Sequence, residues 1–242
     1  MKSNLVEVVL MAGGKGTRLR PFTSVLPKPL VPLGETSIME MVLQQLSYFG
    51  FKHVSISIGY KAEIIMAVIG DGKRFGLEVS YHLETKPLGT LGAVAEMENL
   101  ADDVLIMNGD ICTNLNFMDF LKNHCKIGSA ATIGSYLKKE QLALGILEVD
   151  DSRQKVVGFK EKPMVEHLVS MGVNAFNKSA LELIPADQHF GFDDMMYKML
   201  AEKTDIRYSV FDGLWFDVGR PADYERMLES FSQNSEYFLP SK

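Results

Sequence analysis

Apolar and polar positions follow two alternating patterns over the first 110 residues. Short apolar runs rich in Val, Ile and Leu have the length of buried strands; they lie at 8–11, 53–58, 77–83 and 103–107. Between them, apolar side chains recur every three to four positions, as in amphipathic helices, at 37–49, 61–69 and 93–97. Ser37 and Glu40 form an S-x-x-E capping box at the first of these helices. Strands alternating with helices predict a mostly parallel sheet covered by helices.

The pattern changes after residue 129. Strand-like segments follow one another without long helices at 130–136, 143–149, 156–160 and 172–176, with a hairpin turn at 150–152. Helices are predicted at 180–184 and 193–203, a strand at 206–211 and a closing helix at 221–229. Residues 231–242 are polar and weakly patterned, and we expect a loose tail there. We interpret 1–242 as one domain with two halves, 1–128 and 129–230.

A glycine-rich loop directly follows the first strand. It reads Gly13-Gly14-Lys15-Gly16-Thr17-Arg18, and a Pro27-Lys28-Pro29 segment follows. Glycines allow backbone N–H groups to approach an anion, and the three cations Lys15, Arg18 and Lys28 add charge. The spacing fits neither the P-loop nor the G-x-G-x-x-G dinucleotide motif. The loop therefore indicates a polyphosphate site of another kind.

Two more candidate segments follow predicted strands. Residues 84–92 form a second glycine-containing loop, which includes Glu84, Pro87, Gly89 and Thr90, and Asn108-Gly109-Asp110 ends the fourth strand. In a parallel sheet, ligands bind beyond the carboxyl ends of the strands. We therefore expect these segments and the first loop to share one site.

Composition excludes several classes of protein. A hydrophobic content of 46% with 23% charged residues is ordinary for a globular chain. A net charge of −6 argues against a general nucleic-acid surface. We expect a cytoplasmic protein without membrane association, because no apolar stretch reaches the length of a span and no signal peptide is recognisable. Cys112 and Cys125 lack metal-ligand spacing and are interpreted as reduced thiols.

The loop and the Pro27-Lys28-Pro29 segment resemble the signature of the sugar-1-phosphate nucleotidyltransferases, the NDP-sugar pyrophosphorylases. The resemblance extends from residue 8 to about residue 229, with the motifs in the expected order. It implies a Rossmann-like α/β fold with a smaller mixed β region for the second substrate. It also implies a nucleoside triphosphate, a sugar 1-phosphate and Mg²⁺ as ligands, with 1–128 as the nucleotide-binding half and 129–230 as the sugar-phosphate-binding half.

The resemblance also implies roles for individual residues. Asp110 and Asp217, the latter within Trp215-Phe216-Asp217-Val218-Gly219, match the metal-binding segments of the family. Arg18, Lys28, Asp110 and Lys162 match catalytic positions, and Lys162 would contact the sugar phosphate. Gly145, Glu161 and Asn174 match the sugar side. The nucleotide side comprises Leu10, Ala12, Gly13, Gly14, Lys15, Gly16, Thr17, Glu84, Pro87, Gly89 and Thr90.

Glu84 is the candidate reader of the base. A carboxylate accepts hydrogen bonds, and the Watson–Crick edge of guanine offers two adjacent donors, whereas uracil offers one. The specific hypothesis is guanylyl transfer to mannose- or heptose-1-phosphate, with uridylyl transfer to a hexose- or amino-sugar-1-phosphate as the alternative. An inactive regulatory subunit is a third alternative, against which the combined presence of Arg18, Lys28, Asp110, Lys162 and Asp217 argues.

The remaining chemistry-bearing residues have no assigned role. The five histidines show no paired metal spacing and are interpreted as structural or solvated: His53, His82, His124, His167 and His189. Neither the oligomeric state nor the identity of the sugar follows from the sequence, and homo-oligomerisation stays open.

Overall fold

A computed structural model describes residues 5–239 of the chain. Its strands are β1 (Val6–Ala12), β2 (Pro32–Leu33), β3 (Thr36–Ser37), β4 (His53–Ile58), β5 (Glu78–Leu83), β6 (Leu100–Asn108), β7 (Ile111–Thr113), β8 (Ala131–Gln141), β9 (Ile146–Asp150), β10 (Lys155–Lys160), β11 (Met164–Asn177), β12 (Ile206–Phe211) and β13 (Trp215–Asp217). Its helices are α1 (Phe22–Val25), α2 (Ile38–Tyr48), α3 (Ala62–Ile69), α4 (Gly89–Gly92), α5 (Phe117–Ile127), α6 (Lys178–Leu181), α7 (Phe192–Ala201) and α8 (Pro221–Phe238).

Seven strands form the central sheet in the order β12-β8-β11-β6-β1-β4-β5. The strands β5, β4, β1 and β6 are parallel, as the sequence predicts for the first half. β11 is antiparallel to both β6 and β8, and β12 is parallel to β8. The mostly parallel, helix-flanked α/β sheet is thereby confirmed, with β11 as the strand that runs against the other six.

The central strand β1 is buried on both faces, which explains its continuous apolar run. Val8 and Leu10 pack into one core cluster with residues of α2, α3, α5 and α8. Val9 faces the other side and packs with residues of α4, α6 and α7. Because adjacent side chains of a strand point to opposite faces of the sheet, β1 contributes to both core clusters.

Capping residues mark the ends of α2 and α5. Ser37 accepts a hydrogen bond from the Glu40 backbone N–H, and the Ser37 N–H donates to Glu40 Oε2 at 3.0 Å, so the predicted capping box is present. α5 was not predicted, although Asn116 caps it by accepting from the Asp119 N–H at 3.1 Å. Gly128, at φ 71°, ends α5 in the left-handed conformation typical of a helix C-terminus.

The prediction of a loose tail was wrong for the described part of that segment. α8 continues to Phe238, and residues 240–242 lie outside the described part of the chain. Phe231 and Phe238 are buried in the core, and the Phe238 carbonyl accepts a hydrogen bond from the buried Gln45 side chain at 2.8 Å. These contacts stabilise the C-terminal end of α8. Most residues there are polar, so the sequence pattern does not reveal the few apolar positions that are buried.

An extended segment, residues 136–170, projects from the sheet, and we call it the arm. Residues 164–170 of β11 pair with β8 alone, whereas β6 pairs with residues 173–177. The hairpin of β9 and β10 lies within the arm. Large apolar side chains of the arm are exposed: Leu137, Leu142, Leu144, Leu147, Val149, Val156, Val157, Phe159, Met164 and Leu168.

None of the helices within residues 5–239 is both long enough and apolar enough to cross a bilayer.

Candidate functional site

The glycine-rich loop folds tightly onto the segment that carries Lys28. Gly16 adopts φ 59°, a left-handed conformation, just before a 3₁₀ turn at Thr17–Leu19. A Cβ added there would lie 2.9 Å from Lys28 Cβ, so the close approach also requires glycine. The Thr23 hydroxyl donates to the Gly16 carbonyl at 2.8 Å and fixes the turn. Lys28 is thereby held beside the loop.

A cavity of about 660 Å³ lies at the carboxyl ends of the parallel strands. All but one of the predicted nucleotide-side residues line it, as do Arg18, Lys28 and Asp110; the nucleotide-side residues are Ala12, Gly13, Gly14, Lys15, Gly16, Thr17, Glu84, Pro87, Gly89 and Thr90. Leu10 is the exception, because its side chain is buried in the core beneath the cavity. The structure thus brings the three candidate segments of the first half together.

Further residues line the cavity. Pro29, Thr85, Lys86 and Asn108 belong to the candidate segments without having been assigned a role, whereas no sequence motif indicated Met11, Gly59, Tyr60 and His189. His189 was interpreted as structural or solvated, and it is exposed but lines the cavity. Its placement depends on the segment before α7, which packs onto the second glycine loop. The Phe190 carbonyl accepts from the Leu91 and Gly92 N–H groups at 3.0 and 2.9 Å. No sequence motif signals this long-range contact.

Glu84 follows β5 and is half-buried at the edge of the cavity. Its backbone N–H donates to the Ile58 carbonyl at 2.8 Å and continues the β4–β5 pairing. The Ser57 hydroxyl donates to Glu84 Oε1 at 2.7 Å. The carboxylate is therefore oriented by the protein while part of it remains accessible from the cavity.

Asp110 and Asp217 approach each other through a small separate sheet. β7 follows Asp110 directly and pairs antiparallel with β13, so that Asp217 lies opposite Ile111. Burial raises the pKa of Asp217, and the negative charge of Asp110 raises it further. The positive charges of Lys28 and Arg18 act in the opposite direction on the same pKa. The Lys28 ammonium forms an ion pair with Asp110 Oδ2.

This pair of carboxylates fits a divalent cation in charge and chemistry. Mg²⁺ is commonly bound by one or two protein carboxylates, with water and substrate phosphate oxygens as its other ligands. Among residues 5–239 there is no group of three or more His, Cys, Asp and Glu side chains that could hold a metal. Burial is the largest factor that raises the pKa of Asp217, and repulsion from the Asp110 carboxylate adds to it; a cation between the two carboxylates would relieve that repulsion.

None of the four predicted sugar-side residues lines the cavity, and three of them, Gly145, Glu161 and Lys162, lie on the arm. Gly145 packs against the Phe159 ring and lies close to the Glu161 carboxylate. Lys162 adopts φ 42°, and its ammonium lies 3.8 Å from Glu161 Oε1, with both side chains exposed. Gly145, Glu161 and Lys162 therefore lie close to one another, but outside the cavity that contains the ion pair of Lys28 and Asp110.

Asn174 lies on β11, where it pairs with Ile106 of β6 and Ile133 of β8. It is 6% exposed, and its Oδ1 is buried without a hydrogen-bond partner in the structure. An unpaired buried acceptor is costly and calls for an explanation, such as a ligand donor. Nearby, the Trp215 indole donates to the Met171 carbonyl at 3.0 Å and joins β13 to the base of the arm.

Neither cysteine is paired. Cys112 is buried, Cys125 is exposed, and both are free thiols. Burial raises the pKa of Cys112 to about 12, and burial is also the largest factor that raises the pKa of Cys125 to about 11. Both are thiols rather than thiolates at neutral pH, so neither is activated as a nucleophile.

Known proteins share both the sequence pattern and the fold. D-glycero-alpha-D-manno-heptose 1-phosphate guanylyltransferase of Aneurinibacillus thermoaerophilus is 30% identical over 225 residues, which cover 91% of this chain and 96% of that protein. UTP–glucose-1-phosphate uridylyltransferase of Synechocystis is 29% identical over 90% of this chain. Mannose-1-phosphate guanylyltransferase of Mycobacterium tuberculosis is 29% identical over 93% of this chain. The chain spans 61% and 64% of the lengths of these last two relatives.

Solved structures share the fold of this chain. HddC from Yersinia pseudotuberculosis matches with a TM-score of 0.73 at 24% identity, covering 94% of this chain and 100% of that one. Its complex with GMP-PN matches with a TM-score of 0.71 at 25% identity over the same shares. The sequence profile of the nucleotidyl transferase family matches residues 7–234. On this match, which covers nearly the whole chain, the protein belongs to the nucleotidyl transferase family.

Proposed function

We propose that this chain transfers a nucleotidyl group from a nucleoside triphosphate to a sugar 1-phosphate, giving an NDP-sugar and pyrophosphate. The observation that carries the proposal is one cavity that joins the glycine-rich loop, Arg18, Lys28 and Asp110. The names of the relatives, all sugar-1-phosphate nucleotidyltransferases, support the same reaction class.

The reaction needs positioning and charge neutralisation more than proton transfer. A phosphate oxygen of the sugar 1-phosphate attacks the α-phosphorus, and the bond to the β-phosphate oxygen breaks to release pyrophosphate. The nucleophile is already anionic, so no general base is required. Arg18 would hold the leaving pyrophosphate in bidentate geometry, and Lys28 would neutralise charge at the α-phosphate.

Asp110 and Asp217 would hold Mg²⁺. When bound, this ion supplies charge stabilisation for the phosphate oxygens around the reacting phosphorus. Lys28, whose ammonium pairs with Asp110 Oδ2, would turn from this carboxylate to a bound phosphate. Both groups are mostly buried, so their charges are weakly screened by solvent.

The residues that bind the sugar 1-phosphate would come from the arm and from β11. Lys162 would contact the phosphate of the sugar 1-phosphate, with Glu161 and Gly145 beside the sugar. Asn174 offers a buried Oδ1 that has no partner in the structure, and a sugar hydroxyl would supply the missing donor. In this proposal the arm delivers the nucleophile to the cavity that holds the triphosphate.

The nucleotide we propose is GTP, with mannose- or heptose-1-phosphate as acceptor. The oriented Glu84 carboxylate at the edge of the cavity favours a base with two adjacent N–H donors. A relative of nearly equal length is named a heptose 1-phosphate guanylyltransferase. Uridylyl transfer to a hexose 1-phosphate is the second candidate, which the similarity to the Synechocystis enzyme favours.

The test is a panel of four triphosphates against mannose-, heptose-, glucose- and N-acetylglucosamine-1-phosphate, with Mg²⁺ present and pyrophosphate release as readout. We expect release with GTP and mannose- or heptose-1-phosphate, and none without Mg²⁺. Asp110→Asn, prepared in parallel, controls for contaminating enzymes. Release with UTP and a hexose 1-phosphate would select the second candidate, and no release with any pair would overturn the proposed activity.

A further inference from the structure

Ser57 is a buried hydroxyl that touches the candidate base reader without reaching the cavity. It lies near the end of β4, is 0% exposed, and is not among the residues that line the cavity. Its Oγ donates to Glu84 Oε1 at 2.7 Å. The contact is possible because β4 and β5 are parallel neighbours whose ends lie side by side, with Ile58 opposite Leu83.

A second contact confines the same carboxylate. A Cβ added at Gly13 would lie 2.3 Å from Glu84 Oε1 and 3.1 Å from Glu84 Oε2. The carboxylate therefore occupies the space that a side chain at Gly13 would need. With Gly13 on one side and the Ser57 hydroxyl as a donor, Glu84 is positioned before any ligand arrives, and less side-chain freedom is lost on binding.

The arrangement leaves a defined set of acceptor sites. An ionised carboxylate has about four lone-pair sites on its two oxygens, and the Ser57 hydroxyl uses one of them on Oε1. Both oxygens can still accept one further bond each. Guanine presents two adjacent donors, N1–H and the 2-amino group, whereas hypoxanthine presents N1–H alone.

We propose that Ser57 is a positioning residue that fixes the Glu84 carboxylate for bidentate contact with guanine and so sets the selectivity for guanine over bases without a 2-amino group. This inference rests on the proposed nucleotide site. It concerns base recognition, whereas the transfer reaction depends on the phosphate side of the cavity, so the two can fail independently.

The test measures binding of GTP and ITP by calorimetry without sugar phosphate, so that no turnover is needed. We expect the native protein to bind GTP about tenfold more tightly than ITP, the size of one good hydrogen bond to a charged group. Ser57→Ala should reduce this ratio to less than about threefold, chiefly by weakening GTP binding. Glu84→Gln should reduce it as well, because the amide replaces one acceptor with a donor.

Two further variants separate positioning from a structural effect. Ser57→Thr keeps the hydroxyl and should retain the native ratio. Ser55→Ala removes a buried hydroxyl from the same strand face, two residues further from Glu84, and should leave the ratio unchanged. A Ser57→Ala protein that keeps the native GTP-to-ITP ratio, or that weakens both nucleotides equally, would overturn the inference. Native protein with no preference between GTP and ITP would also overturn it, whatever the outcome of the transfer assay.

Discussion

The cavity beside β1 and the arm are held by different kinds of interaction. Around the cavity, backbone and side-chain hydrogen bonds tie the loops to the core, including Thr23 to the Gly16 carbonyl at 2.8 Å and Tyr60 N–H to the Gly13 carbonyl at 3.3 Å. On the arm, backbone pairing joins the strands, and the side chains add mainly exposed ion pairs such as Lys160–Glu148 at 2.6 Å. The residues proposed for the nucleotide lie at the end of the central sheet, whereas Gly145, Glu161 and Lys162, proposed for the sugar phosphate, lie on the arm that projects from it.

The two regions should differ in how far they are ordered before a substrate binds. Exposed ion pairs each contribute about 0 to 1 kcal/mol, and a hairpin without a buried face is only marginally stable by itself. Regions with few buried apolar contacts open locally at lower cost than the core. We therefore expect the triphosphate site to exist before binding and the arm to adjust when the sugar phosphate arrives.

Substitution of two phenylalanines, one in the core and one on the arm, should change the free energy of unfolding by very different amounts. Phe176 is 0% exposed in the core beside β6, whereas Phe159 on the arm is 60% exposed. Phe176→Ala should lower the free energy of unfolding by about 3 to 5 kcal/mol, and Phe159→Ala by less than about 1 kcal/mol. Urea denaturation of both variants measures this. A loss of more than about 2 kcal/mol for Phe159→Ala would contradict the description of the arm as weakly packed.

The second prediction concerns Asp217, where one substitution should lower activity but raise stability. Asp217→Asn removes one of two repelling carboxylate charges, so it should lower pyrophosphate release by about 10² to 10³ and raise the Tm of the metal-free protein. Asp223→Asn, which removes a nearby carboxylate on α8, serves as the control and should keep activity within about threefold. Steady-state rates and Tm in EDTA measure both. An active Asp217→Asn enzyme would refute the proposed metal pair.

The smallest effect tests the arm itself. Lys162→Ala should raise the KM for the sugar phosphate by about tenfold while the KM for the triphosphate stays unchanged, since one ammonium–phosphate contact is lost. Lys160→Ala is the matched control, because that lysine is exposed on the same hairpin and already paired with Glu148. Equal effects of the two substitutions would mean that the arm acts only as a nonspecific positive surface, and would contradict a specific contact of Lys162 with the sugar phosphate.

The fold was largely predictable where local patterns are strong. The strands at 53–58 and 206–211 match β4 and β12, and the Ser37 box marks the start of α2. The prediction missed α5 and the first half of β11, and it ended α8 too early. The start of β11 lies in the exposed arm. There the order of apolar and polar residues along the chain does not match which side chains are buried. Its strand conformation depends on pairing with β8 rather than on its own pattern.

Local patterns in the sequence were enough to predict most strands and helices of the first half, its parallel sheet and the loops that end its strands, because periodicity and glycine placement act within a few residues. Which distant residues meet depends on the tertiary structure: Ser57 with Glu84, the Phe190 segment with the second glycine loop, and Asp217 with Ile111 of β7. Such contacts result from packing between segments far apart along the chain, and a single sequence carries no local signal for them.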